Sequence, residues 1–108
     1  MQVRLFTLEQ IDVEILITYD VSTETREGRR RLRHMAKACE GYGQRVQKSV
    51  FECTLNGAEL EKLKHRLAKE ILETEDSLRI YRLLEPREKY VQIMGVRLAF
   101  DLHDPLIL

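Results

Sequence analysis

Two periods of apolar residues alternate along this chain. The segment Val13 to Val21 is rich in Val, Ile and Tyr and nearly continuous in apolar residues from Ile15 to Ile17. It reads as a strand buried on both faces and central in its sheet. After the polar run "STETREG", Leu32, Met35, Ala36 and Cys39 fall at i, i+3, i+4 and i+7, the spacing of one helix face. This helix ends at "GYG", where Gly41 or Gly43 is expected to supply a left-handed C-terminal conformation.

In "QRVQKSVFECTL", Val46 and Val50 have one parity and Phe51, Cys53 and Leu55 the other. Such a change implies two strands joined near Lys48 to Val50, or one strand with a bulge. Asn56 then makes an N-cap with Glu59 three positions on, and Leu60, Leu63, Leu67, Ala68, Ile71 and Leu72 form an apolar stripe. "SLRIYRLL" returns to strand, with Leu78 and Ile80 on one face and Tyr81 and Leu83 on the other.

The order β, α, β, β, α, β is that of the α+β, ferredoxin-like arrangement, an antiparallel sheet with both helices on one face. The chain reads as one such domain over 1–108, with an N-terminal extension at 1–12 and a C-terminal strand and tail at 85–108. After Pro86 the additional strand spans Tyr90 to Met94. A strand beyond a complete four-stranded unit must pair with an open sheet edge, and an edge of a second copy is an economical place, so a homodimer is expected.

At 108 residues, 44% hydrophobic and 33% charged, the chain has room for one core and the balance of a globular domain rather than a disordered one. The sequence contains no membrane-length apolar run, and "MQVRLFTLEQ" has neither the basic lead nor the apolar core of a signal peptide, which makes the cytoplasm the expected location. Cys39 and Cys53 lack metal-type partner spacing and read as reduced structural thiols, and His34, His65 and His103 are equally scattered.

The formal net charge of zero conceals an uneven distribution. Between Arg26 and Lys48 stand Arg26, Arg29, Arg30, Arg31, Arg33, Lys37, Arg45 and Lys48 against only Glu27 and Glu40. Arg30, Arg33 and Lys37 share a helix face distinct from the apolar one, so their charges point outward together. Phosphates are the expected partner, with the cations reading a nucleic-acid backbone rather than its sequence. Arg45 and Lys48 lie in the β segment beyond, on either face. Asp20, followed by Ser22 and Thr23, reads on its own as a turn residue whose carboxylate accepts backbone N–H bonds.

Three segments together, "LITYDVST", "RRRLRHMAKACEGYGQRVQKSVFECTL" and "DSLRIYRL", resemble the CRISPR-associated protein 2 family, and the ending "DLHDPLIL" is similar to its type I-C group. The resemblance covers roughly residues 13 to 108 and depends on several motifs in order. It implies a ferredoxin-like homodimer in which a strand-end aspartate, here Asp20, faces its symmetry mate across the two-fold axis and is both metal ligand and catalytic residue. It also implies a Mg²⁺-dependent nuclease, with Mn²⁺ as an alternative ion, acting on single-stranded RNA or duplex DNA. A further implied role is as the central DNA-binding scaffold of the integrase, CRISPR-associated protein 1.

Arg45 matches a family arginine near the active centre, and Arg29, Arg30 and Arg31 occupy the neighbourhood of others. Phe51 matches a family phenylalanine near the site, although a core role fits it equally. Tyr19 points away from Asp20 and is expected to pack against a helix. Ser49 either bonds a phosphate or closes a turn.

Two readings of function follow. In the first, Asp20 from both chains holds Mg²⁺, an ion that keeps several waters and takes one or two carboxylates, and the protein is an endonuclease. In the second, it is a non-catalytic DNA-binding scaffold, because two carboxylates are few ligands and no nearby His or Glu is identifiable as a general base. A third reading, a regulatory module for a small ligand, is disfavoured by the unpaired cations and the absence of a Gly-rich or apolar ligand loop.

Overall fold

The computed structural model describes residues 11–95. In chain order the elements are β1 (Asp12–Asp20), α1 (Arg26–Glu40), β2 (Gly43–Gln47), β3 (Val50–Asn56), α2 (Gly57–Glu70), β4 (Ser77–Arg82) and a single helical turn, α3 (Arg87–Tyr90). The strands form one sheet in the order β2-β3-β1-β4, and every neighbouring pair is antiparallel. This is the ferredoxin-like α+β topology that the element order predicts.

β1 lies inside the sheet as expected, but only one of its faces is covered. Val13, Ile15, Ile17 and Tyr19 are buried against the helices, whereas Glu14, Leu16 and Thr18 on the alternate face are half-buried. The apolar run through Leu16 thus does not mark a two-sided core within one chain. Leu16 lies beside Tyr81 of β4, itself 43% exposed, on the sheet face opposite α1 and α2.

The helix-side core adds Met35, Ala38 and Cys39 from α1, Phe51, Cys53 and Leu55 from β3, and Leu63 and Leu67 from α2. α1 begins where the Thr25 side chain accepts the Gly28 N–H at 3.0 Å, an N-cap that satisfies one of the donors a helix start leaves open. At its other end Gly41 is right-handed (φ −73°, ψ −12°), which corrects the expected left-handed cap: a Tyr42 N–H to Cys39 carbonyl bond closes the turn without that conformation. Gly43 is required for space instead, since a Cβ there would overlap Cys53 Sγ and the Glu52 carbonyl.

Of the two explanations for the parity change, the first is realised, and a bulge inside the first strand accompanies it. β2 and β3 are separate strands joined across Lys48 and Ser49, and their register slips between Arg45 and Gln47, leaving Val46 as an extra residue. α2 opens with the expected capping box: the Glu59 N–H donates to Asn56 Oδ1 at 2.8 Å, and the Asn56 N–H to Glu59 Oε1 at 3.0 Å. Its buried stripe is shorter than the sequence pattern, because the helix ends at Glu70; Leu72 lies beyond it and is 40% exposed. His34 of α1 and Glu70 of α2 meet at 3.0 Å between the helices.

Within the single chain the expected strand from Tyr90 to Met94 is not laddered into the sheet. Tyr90 closes α3, and the chain from Val91 to Gly95 has no regular structure, although Val91 is extended (φ −114°, ψ 124°). A strand exists only with a ladder partner, and no strand of this chain's sheet pairs with it. Arg87 of α3 anchors this region on the sheet face opposite α1 and α2, 3.3 Å from Glu14 Oε1 and 3.9 Å from Glu52 Oε1. The expected tail beyond residue 95 and the extension before Ile11 lie outside the described residues. Among those residues no helix is long and apolar enough to cross a membrane.

Candidate nucleic-acid and metal site

Asp20 closes the central strand and is exposed. Its register partner in β4 is Ser77, so it stands at the end of the sheet beside the loop that leads into α1. Strand alternation sends Tyr19 to the opposite face, where it is only 6% exposed. The Tyr19 N–H donates to the Ser49 carbonyl at 3.1 Å, and its ring stacks on Phe51 with centroids 6.3 Å apart. Burial pushes the Tyr19 phenol up to about 12, with the neighbouring Cys39 adding to the rise, so it is a neutral packing group at physiological pH.

Phe51 is fully buried, and the Arg45 guanidinium lies over its ring at 5.2 Å. Arg45 Nη2 also approaches Glu40 Oε1 at 3.5 Å, while Arg45 Nε and the Tyr19 hydroxyl are buried without a hydrogen-bond partner. The structure therefore gathers Tyr19, Arg45, Ser49 and Phe51 behind Asp20, on the helix side of the sheet. Phe51 is a core residue. Ser49 occupies the β2–β3 turn, and its carbonyl holds the Tyr19 backbone.

The three consecutive arginines separate into three roles. Arg31 turns inward: its Nε donates to Asp76 Oδ2 at 2.7 Å and its Nη2 to Asp76 Oδ1 at 3.1 Å. Arg29 leans back on the loop and donates to the Thr23 carbonyl at 3.0 Å. Arg30 alone points outward without an ion pair among the described residues, as do Arg33 and Lys37.

Arg26 joins Arg30, Arg33 and Lys37 on one exposed stripe of α1, about 16 Å long at 1.5 Å per residue. Arg26, Arg30 and Arg33, with Glu27, line a shallow groove. Lys48 is exposed in the β2–β3 turn.

Asp76 is a buried, ion-paired carboxylate beside the strand end of Asp20 that sequence reasoning missed. It precedes β4 as one acid in "ETED", outside any periodic pattern, and its partner Arg31 lies 45 residues earlier. Its carboxylate also accepts the Ser22 N–H at 3.1 Å and the Leu72 N–H at 2.9 Å. The Arg31 bonds foremost, and then the Leu72 and Ser22 N–H groups, hold it down at about 2 against the cost of burial.

Among the described residues no three His, Cys, Asp or Glu side chains gather closely enough to hold a metal. At the end of β1 a single chain offers the exposed carboxylate of Asp20, which fits a largely hydrated hard cation such as Mg²⁺ and not a closed transition-metal site. Cys39 and Cys53 are fully buried, and burial pushes their thiols up to about 12 and about 11, which leaves them unfit as ligands or nucleophiles.

The family model for CRISPR associated protein Cas2 matches residues 13–90, and the chain belongs to this family. It is 62% identical over 94 residues to the CRISPR-associated endoribonuclease Cas2 1 of Moorella thermoacetica, covering 87% of this chain and 98% of that one. It is 52% identical over 93 residues to the CRISPR-associated endonuclease Cas2 of Halalkalibacterium halodurans, covering 86% and 97% respectively. Among solved structures, Streptococcus pyogenes Cas2 at pH 6.5 superposes with a TM-score of 0.69 at 52% identity, over 76% of this chain and 99% of that one.

Proposed function

We propose that this protein is a metal-dependent endonuclease of CRISPR adaptation that works in the cytoplasm as a homodimer, with one Asp20 from each copy holding a shared Mg²⁺ or Mn²⁺. The observation that carries this reading is Asp20 itself. It is an exposed carboxylate with no hydrogen-bond partner among the described residues, at the end of the central strand of a family member. The relatives named as endoribonuclease and endonuclease support cleavage of RNA or of DNA. The half-buried Leu16 and exposed Tyr81 on the face opposite α1 and α2 support pairing with a second copy.

When bound, such an ion activates water and offsets charge on the scissile phosphate. The chain's own contributions are three. Asp20 places a carboxylate at a fixed strand end. Arg45, partly exposed, stands near the same sheet end as a cation for phosphate charge. The α1 stripe of Arg26, Arg30, Arg33 and Lys37, together with Lys48, holds the nucleic-acid backbone by charge alone.

The second reading, a non-catalytic DNA scaffold for the CRISPR-associated protein 1 integrase, is favoured by that same stripe, which binds phosphate whether or not Asp20 holds a metal. Titration of Mn²⁺ into the wild type and Asp20→Asn separates the two. One ion bound per two wild-type chains, and none to the variant, supports the nuclease; equal behaviour of both overturns the metal role.

A further inference from the structure

Asp20 has no side-chain hydrogen bond among the described residues, so its placement depends on the backbone that carries it. On one side that backbone is laddered to β4, where Asp20 pairs with Ser77, the residue after Asp76. On the other side, two residues beyond Asp20, the Ser22 N–H is bonded to Asp76 Oδ1. The chain before and after Asp20 is thus fastened to the same point of the molecule.

Asp76 is itself fixed from two more directions. Its side chain is 0% exposed and receives four donors: the Ser22 N–H, the Leu72 N–H where the chain leaves α2, and two from the Arg31 fork on α1. Four donors match the roughly four lone-pair positions of an ionised carboxylate. The loop has no slack on its other flank, because a Cβ on Gly28 would overlap the Ser22 carbonyl.

A pair of this kind is a poor choice if stability alone is at issue, since desolvating two charges offsets most of their attraction and apolar replacements are often as stable. What a two-pronged Arg–carboxylate contact supplies in addition is geometry. We infer that Asp76, clamped by Arg31, is a positioning residue for Asp20: it holds the β1–α1 loop so that the Asp20 carboxylate keeps a reactive placement, without touching substrate. This rests on the reading of Asp20 as the site carboxylate. The expected effect is large, because displacement of a reacting group by about 1 Å can cost on the order of a hundredfold in rate.

The test is steady-state cleavage of labelled RNA and duplex DNA, kcat and KM separately, below the melting temperature of every variant, with folding checked by near-ultraviolet circular dichroism. Asp76→Asn and Arg31→Lys are expected to lose at least about tenfold in kcat with KM changed by less than about threefold. Asn56→Ala is the destabilised control: Asn56 pairs with Asp12 at the opposite end of β1, and losing its cap costs stability without loosening the loop. It should keep kcat within about twofold of wild type.

Should Asp76→Asn fail to fold, Arg31→Lys, which keeps the charge but loses the fork, carries the comparison. Folded Asp76→Asn and Arg31→Lys cutting at wild-type kcat, or Asn56→Ala falling as far as they do, overturns the positioning role. Asp20→Asn is measured alongside. If it cuts as fast as wild type, or if the wild type cuts nothing, the reading of Asp20 fails and takes this inference with it; if it is inactive while Asp76→Asn is not, only the positioning role fails.

Discussion

The Arg45 guanidinium lies 5.2 Å from the centre of the fully buried Phe51 ring, tying a partly exposed cation to the middle of the core. Phe51 also carries the stacked Tyr19, so its removal empties a cavity behind the Asp20 strand end. Phe51→Ala should cost about 3–5 kcal/mol and Phe51→Leu markedly less, as read from the midpoint of urea unfolding at unchanged slope. A loss below about 1 kcal/mol for the alanine variant would contradict the core assignment.

The buried Asp76 carboxylate makes stability pH-dependent in a defined window. Its carboxyl titrates at about 2 in the fold against 3.8 as its ordinary value. A depressed native pKa contributes stability in full above the unfolded value, lost as pH falls through the native one. Between about pH 7 and pH 3 the wild type should therefore lose about 1 kcal/mol more unfolding free energy than Asp76→Asn. Parallel urea titrations at the two pH values check this, and equal losses would contradict the ion pair.

The stripe on α1 predicts a salt effect. Replacing Arg30, Arg33 and Lys37 with Gln should weaken duplex binding and reduce the slope of log affinity against log salt by up to about 3, near 0.9 for each phosphate no longer neutralised. Fluorescence anisotropy over a range of salt concentrations measures it. An unchanged slope would mean that nucleic acid lies elsewhere on the protein.

Cys39 and Cys53 are the chain's two cysteines, both fully buried with thiols pushed well above their ordinary range. Because the thiolate is the reacting species, neither should modify in the native protein at neutral pH, and both should react once it is unfolded. Thiol titration with a chromogenic disulfide, with and without denaturant, reads this directly.

Where local chemistry decided the structure, the sequence was legible. Asn56 and Glu59 announce the start of α2 because a capping box needs only residues three apart. The parity change between Val50 and Phe51 announces the junction of β2 and β3 because each strand residue must choose a face. Leu16 misled because apolar continuity does not distinguish a covering helix from a face left open in the single chain. The expected strand after Pro86 could not form from its own propensity, since its ladder partner must come from elsewhere. Asp20 was readable at the strand end, whereas Asp76 was not, because its meaning comes from Arg31, 45 positions away.

The most direct test of the account is cleavage of labelled RNA and duplex DNA by the purified wild type and Asp20→Asn, with and without Mg²⁺, across pH. Cleavage by the wild type alone, and only with the metal, is the predicted result. Cleavage by both proteins alike, or by neither, would contradict the catalytic role of Asp20 and leave a protein that positions DNA through its basic helix.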